Sequence, residues 1–183
     1  MKPRLYLIDA HAYLHRAYHA MPPLTNSKGE PVGALYGFAR TLIQILKRDK
    51  PEGIAVCFDV PGPTFRDKMY SEYKATRKEI DPDLIIQLGQ AKPLTEALGF
   101  HCIEKQGYEA DDIMATMARK AVKGGWDAVL VTGDKDALQL VSPGIRVFNV
   151  SRDAWMDAPQ IEEKFGIGPD KVRDYLAGLQ NLK

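Results

Sequence analysis

The sequence is short of several features that would narrow its role at once. It has only two cysteines, Cys57 and Cys102, both inside apolar runs of a 183-residue chain. That excludes the disulfide framework of a small secreted protein and fits a reducing compartment. No apolar stretch is long enough to span a bilayer. The opening MKPRLYLIDA meets Asp9 too early for a signal peptide. A soluble, cytoplasmic protein with no membrane partner is therefore expected. Charge of one sign is not in excess either. Lys and Arg number 25 against 24 Asp and Glu, a formal net charge of +1. Any surface for a polyanion must then come from local clustering. The sequence also lacks a Gly-rich phosphate loop, an HExxH zinc motif, a low-complexity segment and an internal repeat.

What is present is an alternation. Apolar, β-branched runs at 4–10, 53–59, 127–134 and 145–150 predict strands, with a weaker one at 101–105. Helical periodicity covers 33–50, 81–100 and 109–125, and two more helices are expected over 158–166 and 170–182. Pro93 is expected to kink or split the helix over 81–100. Such alternation predicts an α/β domain, a mostly parallel sheet with helices on both faces. The apolar share of 45% and charged share of 27% are those of one ordinary globular domain. The stretches 22–32 and 61–82 fit no regular element.

Three of the predicted strands end in aspartate: Asp9, Asp59 and Asp134. Ligands of open parallel sheets bind outside the carboxyl ends of the strands, where these acids would converge. Each could instead cap the helix that follows it. The stretch GYEADD adds Glu109, Asp111 and Asp112 at a helix start, and Asp136 follows Asp134 by two residues. Dipole compensation accounts for one or two acids in a first turn, but three would repel one another without a counter-charge. Mg²⁺ or Mn²⁺ suits such scattered hard oxygen ligands. Seven carboxylates suffice for two ions, the usual clamp for displacement at phosphorus.

A polyanionic substrate needs basic groups beside those acids. The stretch 65–78 supplies Arg66, Lys68, Lys74, Arg77 and Lys78, interleaved with Phe65, Tyr70 and Tyr73. Cations that track phosphates and aromatics that stack bases make a single-strand-binding composition, although a charge run is more often a solvated face. After Asp9, the histidines His11, His15 and His19 share one helical face. A zinc site there lacks supporting ligands, so a solvated or half-buried histidine face is expected. Arg16 in the same stretch is the better phosphate contact, because guanidinium grips phosphate with two donors.

Together the segments LIDAHAYLHRAYHA, GALYGFARTLIQIL, VCFDVPGPTFRDKMYSEYKATR, GYEADD and VTGDKDALQLV resemble the 5′ nuclease family, specifically the 5′–3′ exonuclease domain of bacterial DNA polymerase I and its stand-alone relatives. The resemblance implies a Rossmann-like (PIN-like) parallel sheet in one resolvase-like domain over 1–183, with a helical arch at about 61–82. It implies that Asp9, Asp59, Glu109 and Asp111 line a first metal site, with Asp112 close by, and that Asp134 and Asp136 begin a second. Arg16, Arg66, Lys74 and Arg77 would grip the scissile phosphate, with Lys74 a direct catalytic participant. The cofactor would be Mg²⁺ or Mn²⁺, and the partner DNA with a 5′ single-stranded flap or overhang. The reaction would be phosphodiester hydrolysis near 5′ ends, in DNA replication and repair.

The family continues beyond DYLA through a Gly-Asp-x-x-Asp-Asn segment into a helix–hairpin–helix module, whereas this sequence reads GLQNLK and stops at Lys183. On that reading two ligands of the second metal and the module are absent, so the second site is incomplete and activity reduced or altered. A catalytically inert DNA-binding remnant of the same fold is the alternative. A phosphotransferase on a doubly wound sheet would need a DxD nucleophile after the first strand or a Gly-rich loop, and neither occurs. Oligomeric state is left open.

Overall fold

The computed structural model describes residues 2–69 and 79–180. Tyr70, Tyr73, Lys74, Arg77 and Lys78 lie outside the described residues, as does the side chain of Lys68. Six strands form one sheet: β1 (Arg4–Asp9), β2 (Gly53–Phe58), β3 (His101–Glu104), β4 (Asp127–Val131), β5 (Ile145–Asn149) and β6 (Ala154–Met156). Their spatial order is β3-β2-β1-β4-β5-β6, parallel except for β6, which pairs antiparallel to β5. The expected α/β architecture is what is found. β6 was not expected from the sequence, because three residues are too few to show a period of two.

The central strands are buried on both faces, as their continuous apolar runs require. Tyr6, Ile8, Val56, Phe58, Val129 and Val131 point into one core, packed by α1 (Ala10–Ala20), α2 (Gly33–Asp49) and α4 (Pro82–Ala97). Their neighbours Leu7, Ala55, Cys57, Ala128 and Leu130 point into the other, packed by α5 (Ala110–Lys123) and the C-terminal helices α6 (Ala158–Phe165) and α7 (Val172–Gln180). Between β2 and α4 stands the short helix α3 (Phe65–Met69). Both cysteines are free, and burial pushes the Cys57 thiol up to about 12, with Asp9 and Asp111 adding to the rise. An inert core thiol follows.

Pro93 does not split α4, which runs as one helix from Pro82 to Ala97. The proline ring would press on the carbonyl four residues back. That residue is Gly89, whose Cα faces open space, so the turn can give there. The helix is tied to α2 by buried Gln87, whose Oε1 accepts from the backbone N–H groups of Ala34 (2.7 Å) and Leu35 (3.3 Å). The amide thereby satisfies donors that α2 leaves open at its start.

At the α1–α2 contact, a Cβ on Gly37 would lie 2.8 Å from the Cβ of Ala17. Alanine there would gain roughly 1 kcal/mol of helix propensity but overpack two short, rigid groups, at a cost of roughly 1–3 kcal/mol. Gly37→Ala is expected to lower Tm by about 2–4 °C. A Tm equal to or above that of the parent in a thermal melt would show that the two helices part freely.

Candidate active site

The chain leaves β1 toward the face that carries α1, and leaves β4 toward the opposite face, through the 3₁₀ turn Lys135–Leu140. β1 and β4 are adjacent, so their carboxyl ends open into a crevice at a topological switch point, where such sheets bind ligands. A cavity of about 450 Å³ lies there, and five of the expected acids line it: Asp9, Asp59, Glu109, Asp111 and Asp134. His11, Ala12, His15, Ile80 and Ala110 complete its wall.

Local backbone chemistry fixes the three strand-end acids. Asp9 caps α1, its Oδ1 accepting from the Ala12 N–H at 2.9 Å while Oδ2 accepts from the Thr132 hydroxyl at 3.0 Å. Thr132 Oγ1 in turn accepts from the Asp134 N–H at 3.1 Å, and Asp134 Oδ1 accepts from Asp136 N–H at 2.9 Å, capping the 3₁₀ turn. Asp59 Oδ1 accepts from the Ala110 N–H at 2.6 Å, the first amide of α5. Asp9 and Asp134 thus cap the elements that follow them, whereas Asp59 accepts from the start of α5 and not from the helix that follows it. These bonds satisfy one or two acceptor positions of each carboxylate, and the cavity receives the charge.

That charge is uncomfortable. Burial first, and then the charges of Asp9, Asp134, Asp59 and Glu109, together raise the Asp111 carboxyl to about 7. Asp9 is also raised, chiefly by burial, against the lowering effect of its bonds from Ala12 and Thr132. Positive charge placed beside Asp9 and Asp111 would favour their ionised forms.

The remaining two acids sit elsewhere. Asp112 takes a two-pronged ion pair from Arg66, with both N–H···O distances 2.7 Å, and also accepts from the Glu109 N–H at 3.1 Å. Asp112 and Asp136 line a neighbouring cavity of about 430 Å³ together with Arg66, while Glu109 and Asp111 line both. Arg66 Nη1 is also 3.7 Å from Glu109 Oε2, and its guanidinium lies 4.7 Å from the Phe65 ring. The Phe65 N–H donates to the Gly107 carbonyl at 3.0 Å and its ring meets Tyr108 at 5.7 Å. α3 is thus fastened to the turn that starts α5, with Arg66 at the rim of the acids. Arg16 is exposed on α1, beside the cavity-lining His15.

Sequence reasoning missed three participants: His11, His15 and Thr132. His11 Nδ1 accepts from the Asp59 N–H at 3.3 Å, and His19, the third of the row, is exposed against Tyr18 instead. The usable signal was distance from Asp9, since the first turn of α1 must pass the strand ends. Among the described residues, no three His, Cys, Asp or Glu side chains stand close enough to hold one ion between them. The donors are hard oxygens around a roomy cavity, a set that fits a divalent ion retaining part of its water.

Residues 4–166 match the sequence model of the 5′-3′ exonuclease N-terminal resolvase-like domain. The chain belongs to this family of nucleases. It is 41% identical over 173 residues to DNA polymerase I of Pseudomonas aeruginosa, covering 94% of this chain and 19% of that protein. To the 5′-3′ exonuclease of Aquifex aeolicus it is 38% identical, covering 94% of this chain and 60% of that one. The chain therefore spans about a fifth to three fifths of the length of these relatives. Family and fold agree. The T5 5′-exonuclease, solved with zinc bound, superposes with a TM-score of 0.73 at 19% identity, over 92% of this chain and 64% of that one. A T5 flap endonuclease variant solved with DNA and metal ions gives 0.72 at 18% identity, over 92% and 63%. Among the described residues no helix is long and apolar enough to cross a membrane.

Proposed function

We propose that the chain is the catalytic domain of a divalent-metal-dependent 5′ nuclease that hydrolyses phosphodiesters near 5′ ends or 5′ flaps of DNA. The observation that carries this reading is the convergence of Asp9, Asp59, Glu109, Asp111 and Asp134 on one cavity at the switch point of the sheet. Membership of a 5′-3′ exonuclease family supports it, as do solved relatives of the same fold that hold divalent metal and DNA.

Asp9, Asp59, Glu109 and Asp111 are assigned to surround a first Mg²⁺ or Mn²⁺ that they would hold in part through its own waters, and Asp134 with Asp136 to begin a second site. When bound, the metal supplies the positive charge that the acids lack and that the phosphate oxygens need as the bond breaks. Asp112 takes a positioning role. Its carboxylate fixes Arg66, and with it α3, at the rim of the cavity. Arg66, Arg16, Lys74 and Arg77 are assigned to the phosphate, and Phe65, Tyr70, Tyr73, Lys68 and Lys78 to the single strand entering beside it. DNA replication and repair are the processes that supply such ends.

The test is cleavage of a labelled 5′-flap DNA with Mg²⁺ or Mn²⁺. Asp134→Ala is expected to lower the rate by at least about 100-fold, the scale seen when even the outer partners of metal ligands are lost. Binding without cleavage above that variant at any metal concentration would establish the inert DNA-binding reading instead.

A further inference from the structure

The carboxyl edge of the sheet carries a second, smaller concavity, beyond Asp134 and away from α3. Lys135, Arg152 and Lys164 converge on it from three separate elements, with Asn149 between them and Asp134 on the wall nearest the acidic cavity. Its volume is about 80 Å³, and all three cations are exposed. The turn that carries Arg152 is held in place, since Asn149 Oδ1 accepts from the Arg152 N–H at 3.2 Å.

Two carboxylates beside the cleft are engaged elsewhere. Asp153, next to Arg152, takes Arg48 at 2.7 Å. Asp157, at the start of α6, accepts from the Gln160 N–H at 3.3 Å. Lys164 Nζ rests 5.6 Å from the centre of the Phe165 ring. Among the described residues, none of the three cations is joined to a carboxylate by an ion pair. A solvated charged face usually draws its cations from one helix run. Here a 3₁₀ turn, a hairpin turn and a helix end bring theirs to one small cleft, at the mouth where the proposed substrate lies.

We propose that this cleft binds backbone phosphates of the DNA on the side of the scissile bond opposite α3. The proposal rests on the nuclease reading and extends it. Arg66 and Phe65 follow β2, on one side of Asp9, whereas the cleft follows β4 and β5 on the other. β1 and β5 are two strand spacings apart, about 10 Å. At about 3.4 Å per nucleotide along one strand, that is roughly three steps from the acids. A backbone laid along the carboxyl edge therefore meets cations on both flanks of the carboxylates. The cleft is small, with a basic rim over apolar side chains, and the ring on its wall, Phe165, is half-buried beneath Lys164, so it suits a phosphate and leaves the base unread.

The experiment is equilibrium binding of a fluorescent 5′-flap DNA in EDTA, where turnover stops and no divalent ion competes for phosphates. Affinity is followed across a salt series for the parent chain and for the triple variant Lys135→Ala, Arg152→Ala, Lys164→Ala. The slope of log K against log salt is expected to fall by about 2–3, at about 0.9 for each phosphate that is no longer neutralised. A scan of single neutral methylphosphonate linkages, within about four nucleotides of the flap junction, should find a position that weakens the parent several-fold and leaves the triple variant unchanged. Each single substitution should lower the slope by about one, which keeps the test readable if the triple variant fails to fold. Equal slopes, or a methylphosphonate effect of the same size in both proteins, would overturn the proposal. Absence of metal-dependent cleavage by the parent would overturn the nuclease reading instead, and the binding slopes are read in either case.

Discussion

Asp111→Asn is expected to slow cleavage by about 100-fold or more and, in the same sample without metal, to raise the melting temperature. The two effects have one cause. Asp111 is held at about 7 by burial and by four neighbouring carboxylates, so its ionised form is strained in the metal-free protein. Asparagine keeps the shape and removes the charge. At roughly 1.4 kcal/mol per tenfold change in proton affinity, the relief at alkaline pH is at most about 4 kcal/mol, part of which the buried amide takes back. For a domain of this size each kcal/mol moves Tm by about 2–4 °C, so a rise of several degrees is expected. The rate should fall by about 100-fold or more, because the same charge is the one assigned above to hold the metal. A thermal melt in EDTA at pH 8 and a flap-cleavage assay check the pair. A variant that melts at or below the parent would mean that Asp111 has a favourable partner in the folded chain.

The second large effect is on pH dependence, and its sign is opposite to that of a carboxylate in a salt bridge. The folded-state affinity of Asp111 for a proton exceeds that of the unfolded chain, where an aspartate titrates near its ordinary value. The folded state therefore binds more protons between the two values. Stability from this group is fully present below the unfolded value and is lost as pH rises through about 7. Asp9 and Asp136 are raised as well and act in the same direction. Metal-free protein should thus lose stability between pH 5 and pH 8, and millimolar Mg²⁺ or Mn²⁺ should restore it at pH 8 with little effect at pH 5, by mass action. The comparison with Asp111→Asn isolates the group, since the variant should show a flatter profile. Parallel profiles for the two proteins in EDTA would remove Asp111 as the cause.

The sheet and its acidic mouth were legible because both rest on strong local signals. Apolar β-branched runs that stop at Asp9, Asp59 and Asp134 predict buried strands and place their ends together, and the cavity has all three on its wall. Less legible was the division of GYEADD. Successive residues of a helix point about 100° apart, so Asp111 reaches the cavity that holds Asp9, Asp59 and Asp134, whereas Asp112 turns to Arg66 and lines only the neighbouring one. Composition alone counts them as equals. The strand β6 was hidden for want of length, and the course of α4 through Pro93 depended on space around Gly89 that no sequence pattern displays. His11 was weighed as one of a zinc-like row, whereas its place comes from standing two residues after a strand-end aspartate.

The double duty of Asp9 has a consequence for how such a domain could fall silent. Aspartate and asparagine codons differ by a single base. In Asp9→Asn the amide oxygen can still accept from the Ala12 N–H, and the new NH₂ can donate to the Thr132 hydroxyl, which now serves as acceptor. The cap survives and the like-charge repulsion eases. On the proposed nuclease reading, a short mutational route out of catalysis therefore runs through a protein that keeps its fold. Folding, which removes most damaging changes before function is ever tested, would let this one pass.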